Sequence, residues 1–216
     1  MKQKKETYAT AFLILFYLVG IAGFLFSETR SFFVQLTPLA LLLSAALLIF
    51  FHAPRVDLKL AAVFLIIFIS SFIAEAIGVS TGMIFGDYSY GKGLGVKIVD
   101  TPLLIGLNWF MLVYCTKVIA DRISLNKTVR LFAGPSLMVG YDLLLEQAAP
   151  LLDMWSWAGR TVPFKNYVAW FLLAFLFHLL IRKYGPGFKN PLAFPVFIIQ
   201  LLFFGTIVLF FSFNNS

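Results

Sequence analysis

Charge is the scarcest thing in this chain. Only 12% of its 216 residues are charged, and ten of them are acidic, against roughly a quarter charged in a soluble protein. A surface that faces water all round cannot be built from so few. The single cysteine, Cys115, excludes an internal disulfide. With only two histidines, His52 and His178, a tetrahedral site of His and Cys ligands is excluded as well. The last apolar run holds no lysine, which removes the Schiff base that a retinal protein needs. Repeats, low-complexity tracts and a soluble domain are also missing, and no metal or other cofactor is expected.

Apolar residues are what the chain has in excess: 61% of the total, with 26 Phe. Seven runs can cross a hydrocarbon core of about 30 Å, which takes about 20 helical residues. They cover 8–26, 32–53, 58–77, 101–120, 128–149, 165–182 and 191–213. Lipid tolerates no unpaired backbone, so the expected fold is all-α: a polytopic membrane bundle of about seven transmembrane helices, one integral membrane domain over 1–216. The basic start at Lys2, Lys4 and Lys5 looks like the front of a secretory signal. No small-residue cleavage site follows residues 19–26, so the run reads as the first span.

Alternating the loops across the membrane puts eleven of the 17 Lys and Arg on the side of the N-terminus. Five (Arg30, Lys92, Lys97, Arg160 and Lys165) fall on the other side, and Lys117 lies within a span. By the positive-inside rule the N-terminus is cytoplasmic and the C-terminus external, in a cell membrane. The net charge of +7 is then explained without a nucleic-acid partner.

Three of the acids, Glu75, Asp142 and Glu146, sit inside apolar runs, where a carboxylate is costly and marks function by default. Asp142 and Glu146 are four residues apart, so on a helix they face the same way with Cβ atoms roughly 6 Å apart. Like charges that close seldom both ionise in a dry site. The topology places Glu75 near the outer end of the third span and Asn108 about two turns into the fourth. Asp142 and Glu146 fall in the outer part of the fifth span, and Asn166 and Trp170 share a face at the start of the sixth. Interhelical hydrogen bonding would explain either asparagine, but it does not call for three acids with no Lys or Arg beside them.

Two loops are expected to close over this level. Residues 78–100 hold six of the fifteen glycines together with Phe85, Asp87, Tyr88 and Tyr90, and residues 150–164 hold Asp153, Trp155 and Trp157. Long structured loops often act as lids or binding elements. An interfacial aromatic belt accounts for the rings but not for the glycines. In the fifth span, Gly134-Pro135 and Gly140 can kink the helix or admit close packing.

A buried carboxyl pair offers an acid beside a base. Walls of Phe, Trp, Leu and Ile point to a lipid substrate, and aromatic faces stabilise a developing cation. Protonation of an alkene, with water or an internal double bond capturing the cation, fits these groups. The Asp-x-x-x-Glu spacing also faintly resembles the aspartate-rich motif of membrane prenyltransferases, but the second such motif is missing.

The stretch Glu75-x-x-Gly78-x-x-Thr81-Gly82-x-x-Phe85-Gly86-x-Tyr88-x-Tyr90, continuing through Leu94-Gly95, Pro102 and Trp109, resembles the signature region of bacterial and archaeal carotenoid hydratases. Asp142 to Glu146 with Pro150, Trp155-x-Trp157, Pro163 and Asn166-x-x-x-Trp170 is similar to that family's second block. Outside Glu75 to Trp170, the first two spans and the last match only in hydrophobicity. The resemblance implies addition of water to the terminal C1=C2 double bond of an acyclic carotenoid, of lycopene or γ-carotene type or a bacterioruberin precursor, giving a tertiary alcohol. Ala169, where the family pattern has glycine, and Lys165 before Asn166 depart from it, which bears on substrate rather than reaction class.

The expected acid is Asp142 or Glu146, and the expected base is Glu75 or the ionised member of the pair, with Asn108 or Asn166 helping to orient water. Trp109, Asp87, Tyr88, Tyr90, Trp155, Trp157 and Trp170 join the two asparagines as expected substrate-binding residues. Expected partners are the carotenoid, the lipid bilayer and other carotenoid enzymes. Three other readings remain at this point. A carotenoid cyclase begins with the same protonation but excludes water. A proton-coupled transporter would use the acids as a relay and would show inverted repeats or broken helices. A carotenoid-binding structural protein would not need the acids.

Overall fold

A computed structural model describes every residue except 1, 124–125, 160, 186 and 215–216. Arg160, one of the cations expected on the side away from the N-terminus, therefore lies outside the described residues. The helices are α1 (Lys2–Leu25), α2 (Ser27–Phe50), α3 (Leu58–Thr81), α4 (Leu104–Ile123), α5 (Lys127–Ala148), α6 (Phe164–Tyr184) and α7 (Ala193–Asn214). They fall on the seven apolar runs, with three clear shifts at the starts, α2 beginning at Ser27 rather than Phe32. The first helix begins at Lys2 rather than Tyr8. The fourth begins at Leu104 rather than Thr101, because Thr101 and Pro102 are taken up in a short strand. Six of the seven are long and apolar enough to cross a membrane. The seventh, α5, is diluted by Lys127, Arg130, Asp142 and Glu146, yet it packs against α4, α6 and α7. The chain is an all-α polytopic membrane protein.

Local chemistry sets the helix ends. The Asp57 carboxylate accepts from Leu60 N at 2.7 Å to start α3, and Asn126 Oδ1 accepts from Thr128 N and Val129 N to start α5. Each satisfies amides that the first helical turn leaves without partners. At the other end of α3, Gly82 takes a left-handed φ of 64° and donates to Gly78 O, a conformation glycine adopts without a Cβ penalty. Only Phe26 separates α1 from α2. The first turn of α2 caps α1: Thr29 Oγ1 donates to Gly23 O at 2.8 Å and Arg30 Nε to Phe24 O at 3.1 Å.

The least apolar of the six apolar helices, α4, has a mean hydropathy of 1.3, and it lies at the centre. Asn108 through Ala120 are all buried, with α2, α3, α5, α6 and α7 packed around them. The most apolar helices, α3 and α7, leave most of their surface outside. Lipid is as apolar as a leucine side chain, so a membrane bundle gains nothing from hiding its most hydrophobic helix.

Among the described residues, four short strands lie in the connections: β1 (Tyr88–Tyr90), β2 (Lys97–Ile98), β3 (Thr101–Pro102) and β4 (Trp155–Trp157). β2 pairs with β3. β1 pairs antiparallel with β4, setting Tyr88 opposite Trp157, Ser89 opposite Ser156 and Tyr90 opposite Trp155. The two long loops are thus one two-stranded ribbon, laid over the C-terminal ends of α3 and α5 and the N-terminal ends of α4 and α6.

The opposite end of the bundle is held by charge. Lys117, with its side chain 1% exposed, lies 3.0 Å from Asp121 and over the Phe188 ring at 3.7 Å. Arg182 Nη1 donates to the same carboxylate at 2.6 Å, and Arg182 Nη2 donates to Arg130 O at 3.0 Å. One acid thereby ties α4 to α6, and through α6 to α5. Removing a single partner strands a buried charge. Asp121→Asn should therefore lower the stability of the detergent-solubilised protein on the order of 3 kcal/mol, read as a fall in Tm. Lys117→Met, which keeps the stem over Phe188, should cost less, and equal losses in the two variants would contradict this account.

Candidate active site

The ribbon explains why the loops carry these aromatics. Along a strand alternate side chains face the same way, so Tyr88 and Tyr90 of β1 and Trp155 and Trp157 of β4 point into the bundle, while Ser89 and Ser156 are exposed. Two polar tips from each strand are then available to the acids beneath.

Each pair goes to one glutamate. Glu75 Oε2 accepts from Tyr88 Oη at 2.5 Å and Tyr90 Oη at 2.8 Å, and its Oε1 accepts from Trp109 Nε1 of α4 at 2.8 Å. Glu146 Oε2 accepts from Trp155 Nε1 at 3.0 Å and Trp157 Nε1 at 2.6 Å. Its Oε1 accepts from Asn166 Nδ2 of α6 at 3.2 Å, and the same amide donates to Asp142 Oδ2 at 3.0 Å. Asn166 therefore bridges the carboxyl pair on α5. Asp142 Oδ1 is buried and has no hydrogen-bond partner among the described residues. Burial, reinforced by the Glu75 carboxyl, pushes the ionisation of Tyr88 and Tyr90 well above the usual tyrosine range. Both keep the proton they donate.

Glu75 and Glu146 face a cavity of about 10 Å³, also lined by Phe85, Tyr88, Ile105, Asn166 and Trp170. That is about the volume one water needs. Trp170 stacks on Trp109 with ring centres 4.1 Å apart, and Tyr88 lies 5.0 Å from the Trp157 ring. The acids are 3%, 5% and 0% exposed for Glu75, Glu146 and Asp142, so the site is dry apart from that space.

Of the residues expected at the site, ten converge: the three acids with Trp109, Tyr88, Tyr90, Trp155, Trp157, Asn166 and Trp170. Two do not. Asn108 is buried on α4 but makes no hydrogen bond to the acids among the described residues. Its neighbour Trp109 occupies the face toward Glu75, and successive helical residues are turned about 100° apart. Asp87 is exposed; its carboxyl packs over Gly82, while its carbonyl accepts from Ala158 N at 3.0 Å to extend the ribbon. Asp142 joins the cluster through Asn166 but does not line the cavity. Ile105, which does, carries no polar group by which the sequence could mark it.

The first loop's glycines have a packing role. A Cβ on Gly91 would collide with Asp153, and one on Gly93 with the Leu152 carbonyl. Both backbones press against the second loop, where Gly91 N donates to Met154 O at 2.8 Å and Gly93 N to Asp153 O at 2.7 Å.

Residues 36–214 match the family of carotenoid biosynthesis proteins, a region that contains every residue of this site. The chain belongs to that family. A 127-residue stretch of this carotenoid biosynthesis protein is 28% identical to the bisanhydrobacterioruberin hydratase of Haloarcula japonica, covering 55% of the chain and 43% of that relative. The match thus spans less than half of the relative's length. No solved structure matches the chain.

In this family member the ribbon is the element to test. Gly93→Ala should part the first loop from the second while leaving the helices intact. Hydrogen exchange would show protection lost at residues 91 and 93 and the tryptophan emission would shift, with helical circular dichroism unchanged. Retained protection at both amides would show that the contact tolerates a methyl group.

Proposed function

We propose that the chain is a carotenoid hydratase, adding water to the terminal C1=C2 double bond of an acyclic end group of lycopene or γ-carotene type to give a tertiary alcohol. The observation that carries this reading is the pair of carboxyls, Glu75 and Glu146, set on different helices across a space of one water. Hydration of an unactivated alkene needs a strong acid, a surface that tolerates a cation, and a base for the adding water.

Glu146 is the acid in this reading, because it faces the cavity. Its three N–H partners strengthen as the carboxylate forms, so they stabilise the state after transfer more than the state before it. Asp142 is the positioning partner. Held by the same Asn166 amide, it puts a second carboxyl beside the first, and two such groups do not ionise together in dry surroundings. The pair therefore keeps a proton to give.

The proton goes to the less substituted alkene carbon, leaving a tertiary cation facing the rings of Trp170, Tyr88 and Phe85. Water held against Glu75 adds through its oxygen. The oxonium so formed is a strong acid, so a carboxylate that already accepts three hydrogen bonds can still take its proton. One double bond and one water become one C–H, one C–O and one O–H bond, and the proton on Glu75 returns to Glu146 through the next water to fill the space between them. A cyclase would share the first step, and the water-sized space between the carboxyls favours hydration. The reading extends to a single membrane domain in the cell membrane, N-terminus inside, with the ribbon at the external face and neighbouring carotenoid enzymes as partners.

Expression in a lycopene-accumulating bacterium tests this directly. The expected product is heavier than lycopene by one water, whereas a cyclised product keeps the mass of its precursor. Glu146→Gln should reduce product by about 100-fold or more, in the range that general acid catalysis supplies. Asp142→Asn should retain more activity than Glu146→Gln, and Glu75→Gln should divert product toward isomerised hydrocarbon. Full activity in Glu146→Gln would overturn the assignment.

A further inference from the structure

Apolar space far larger than the cavity at the acids lies elsewhere in the protein. With the ribbon closed, the cavity of about 10 Å³ between Glu75 and Glu146 is too small for a carotenoid end group, whereas a cleft of about 170 Å³ opens between α1, α2 and α7. Its walls carry the rings of Phe16, Tyr17, Phe24, Phe33, Phe203 and Phe204. They brace one another edge to face, Phe203 lying 5.6 Å from Tyr17 and 5.8 Å from Phe24. Pro38 lies within α2 between the lining residues Thr37 and Leu39, and its missing N–H interrupts the helical ladder there.

The cleft offers almost nothing to a polar ligand. Its amide, Gln200, spends its Nε2 on Tyr17 Oη at 3.0 Å and receives Tyr141 Oη on its Oε1 at 3.1 Å. Tyr17 Oη also bonds to Ser44 Oγ at 3.0 Å. An occupant must therefore be a hydrocarbon. A flexible acyl chain gains little here over the surrounding bilayer, whereas a flat conjugated chain can use the faces and edges of fixed aromatic rings.

The cleft also abuts the acids. Met154 lines it, and the next residue, Trp155, donates to Glu146. Tyr141, bonded to Gln200 at the cleft wall, precedes Asp142. Adjacent residues at the start of β4 thus line the two spaces, Met154 the cleft and Trp155 the acid cavity.

We infer that this cleft is the binding groove for the long polyene chain of the substrate, and that Met154 and Trp155 form the shutter through which its end group reaches Glu146. The inference rests on the hydratase reading for the identity of the chemistry but not for the groove.

The test uses the full chain and lycopene as the probe. In a Glu146→Gln background the purified protein should retain lycopene, read by visible absorbance. Gly20→Leu, whose Cβ would meet Phe203 at an ordinary 3.5 Å, and Thr37→Phe should each fill the groove and cut retained lycopene about tenfold. Ser136→Leu, exposed on α5, should change nothing. Met154→Trp on the otherwise native chain should keep pigment but lose product. If both groove-filling variants melt like the parent and retain lycopene equally, or if the cleft carries only phospholipid, the groove is refuted. Normal product from Met154→Trp would refute the shutter. If the groove variants lose lycopene while the native chain adds no water to it, the groove stands and the hydratase reading falls.

Discussion

Two glutamates buried between membrane helices must find hydrogen-bond donors inside the protein, because lipid supplies none. Among the described residues Glu75 and Glu146 together accept six such bonds, and four come from the β1 and β4 ribbon. The ribbon and the acids therefore depend on each other. Without the ribbon, two carboxyls would face hydrocarbon with one donor apiece. Without the acids, two tyrosine hydroxyls and two indole N–H groups would be pressed into an apolar end of the bundle. The close-approach glycines, the left-handed Gly82 that turns the chain out of α3, and Lys165, whose Nζ donates to Gly82 O at 2.7 Å, all serve to seat the ribbon.

The two ends of the bundle divide the work. At one end, Asp121 balances Lys117 and Arg182 and fixes α4, α5 and α6 relative to one another with full charges. At the other, the acids have no cationic partner among the described residues, and the donors that hold them there are neutral. A lysine or arginine in their place would also satisfy the carboxyls, but it would hold them as permanent anions. Neutral donors leave the proton free to move, which acid and base chemistry requires. The cost of burying charge at the site is thereby met without removing its reactivity.

Much of the fold was legible because a membrane span writes itself as an apolar run. Helix existence followed from length, and the acids stood out as exceptions within those runs. Depth was legible too, since it follows from position along a span. Rotation about the helix axis was not. In α4 nearly every side is buried, so no polar face shows which residue meets Glu75. Asn108 was expected at the site on depth alone, while Trp109, one position on, makes the contact. The ribbon was invisible for a different reason. Each strand is three residues long, too short for a period-two pattern to register, and the partners are more than sixty residues apart. The first loop's glycines pointed to a structured lid, while the surface that Gly91 and Gly93 approach, the second loop, could not be read from them. Gln200, a lone amide in a run of apolar residues, marks the wall of the cleft.

The separation of a dry apolar cleft from a small acid cavity suits the hydration proposed above. A tertiary cation is quenched by any water it meets, so an enzyme that hydrates one double bond in a long polyene must keep solvent from the rest of the chain. It must also admit one water at one carbon. A single wide pocket would do neither. A hydrocarbon groove that holds the chain, joined to a space for one water between two carboxyls, does both. The ribbon belongs to each part: Met154 closes the groove side and Trp155 donates to Glu146 on the other. Movement of that one strand would bring substrate to the acid and loosen the acid's hydrogen bonds in the same step, linking access to reactivity through the donors that hold Glu146 in the resting protein.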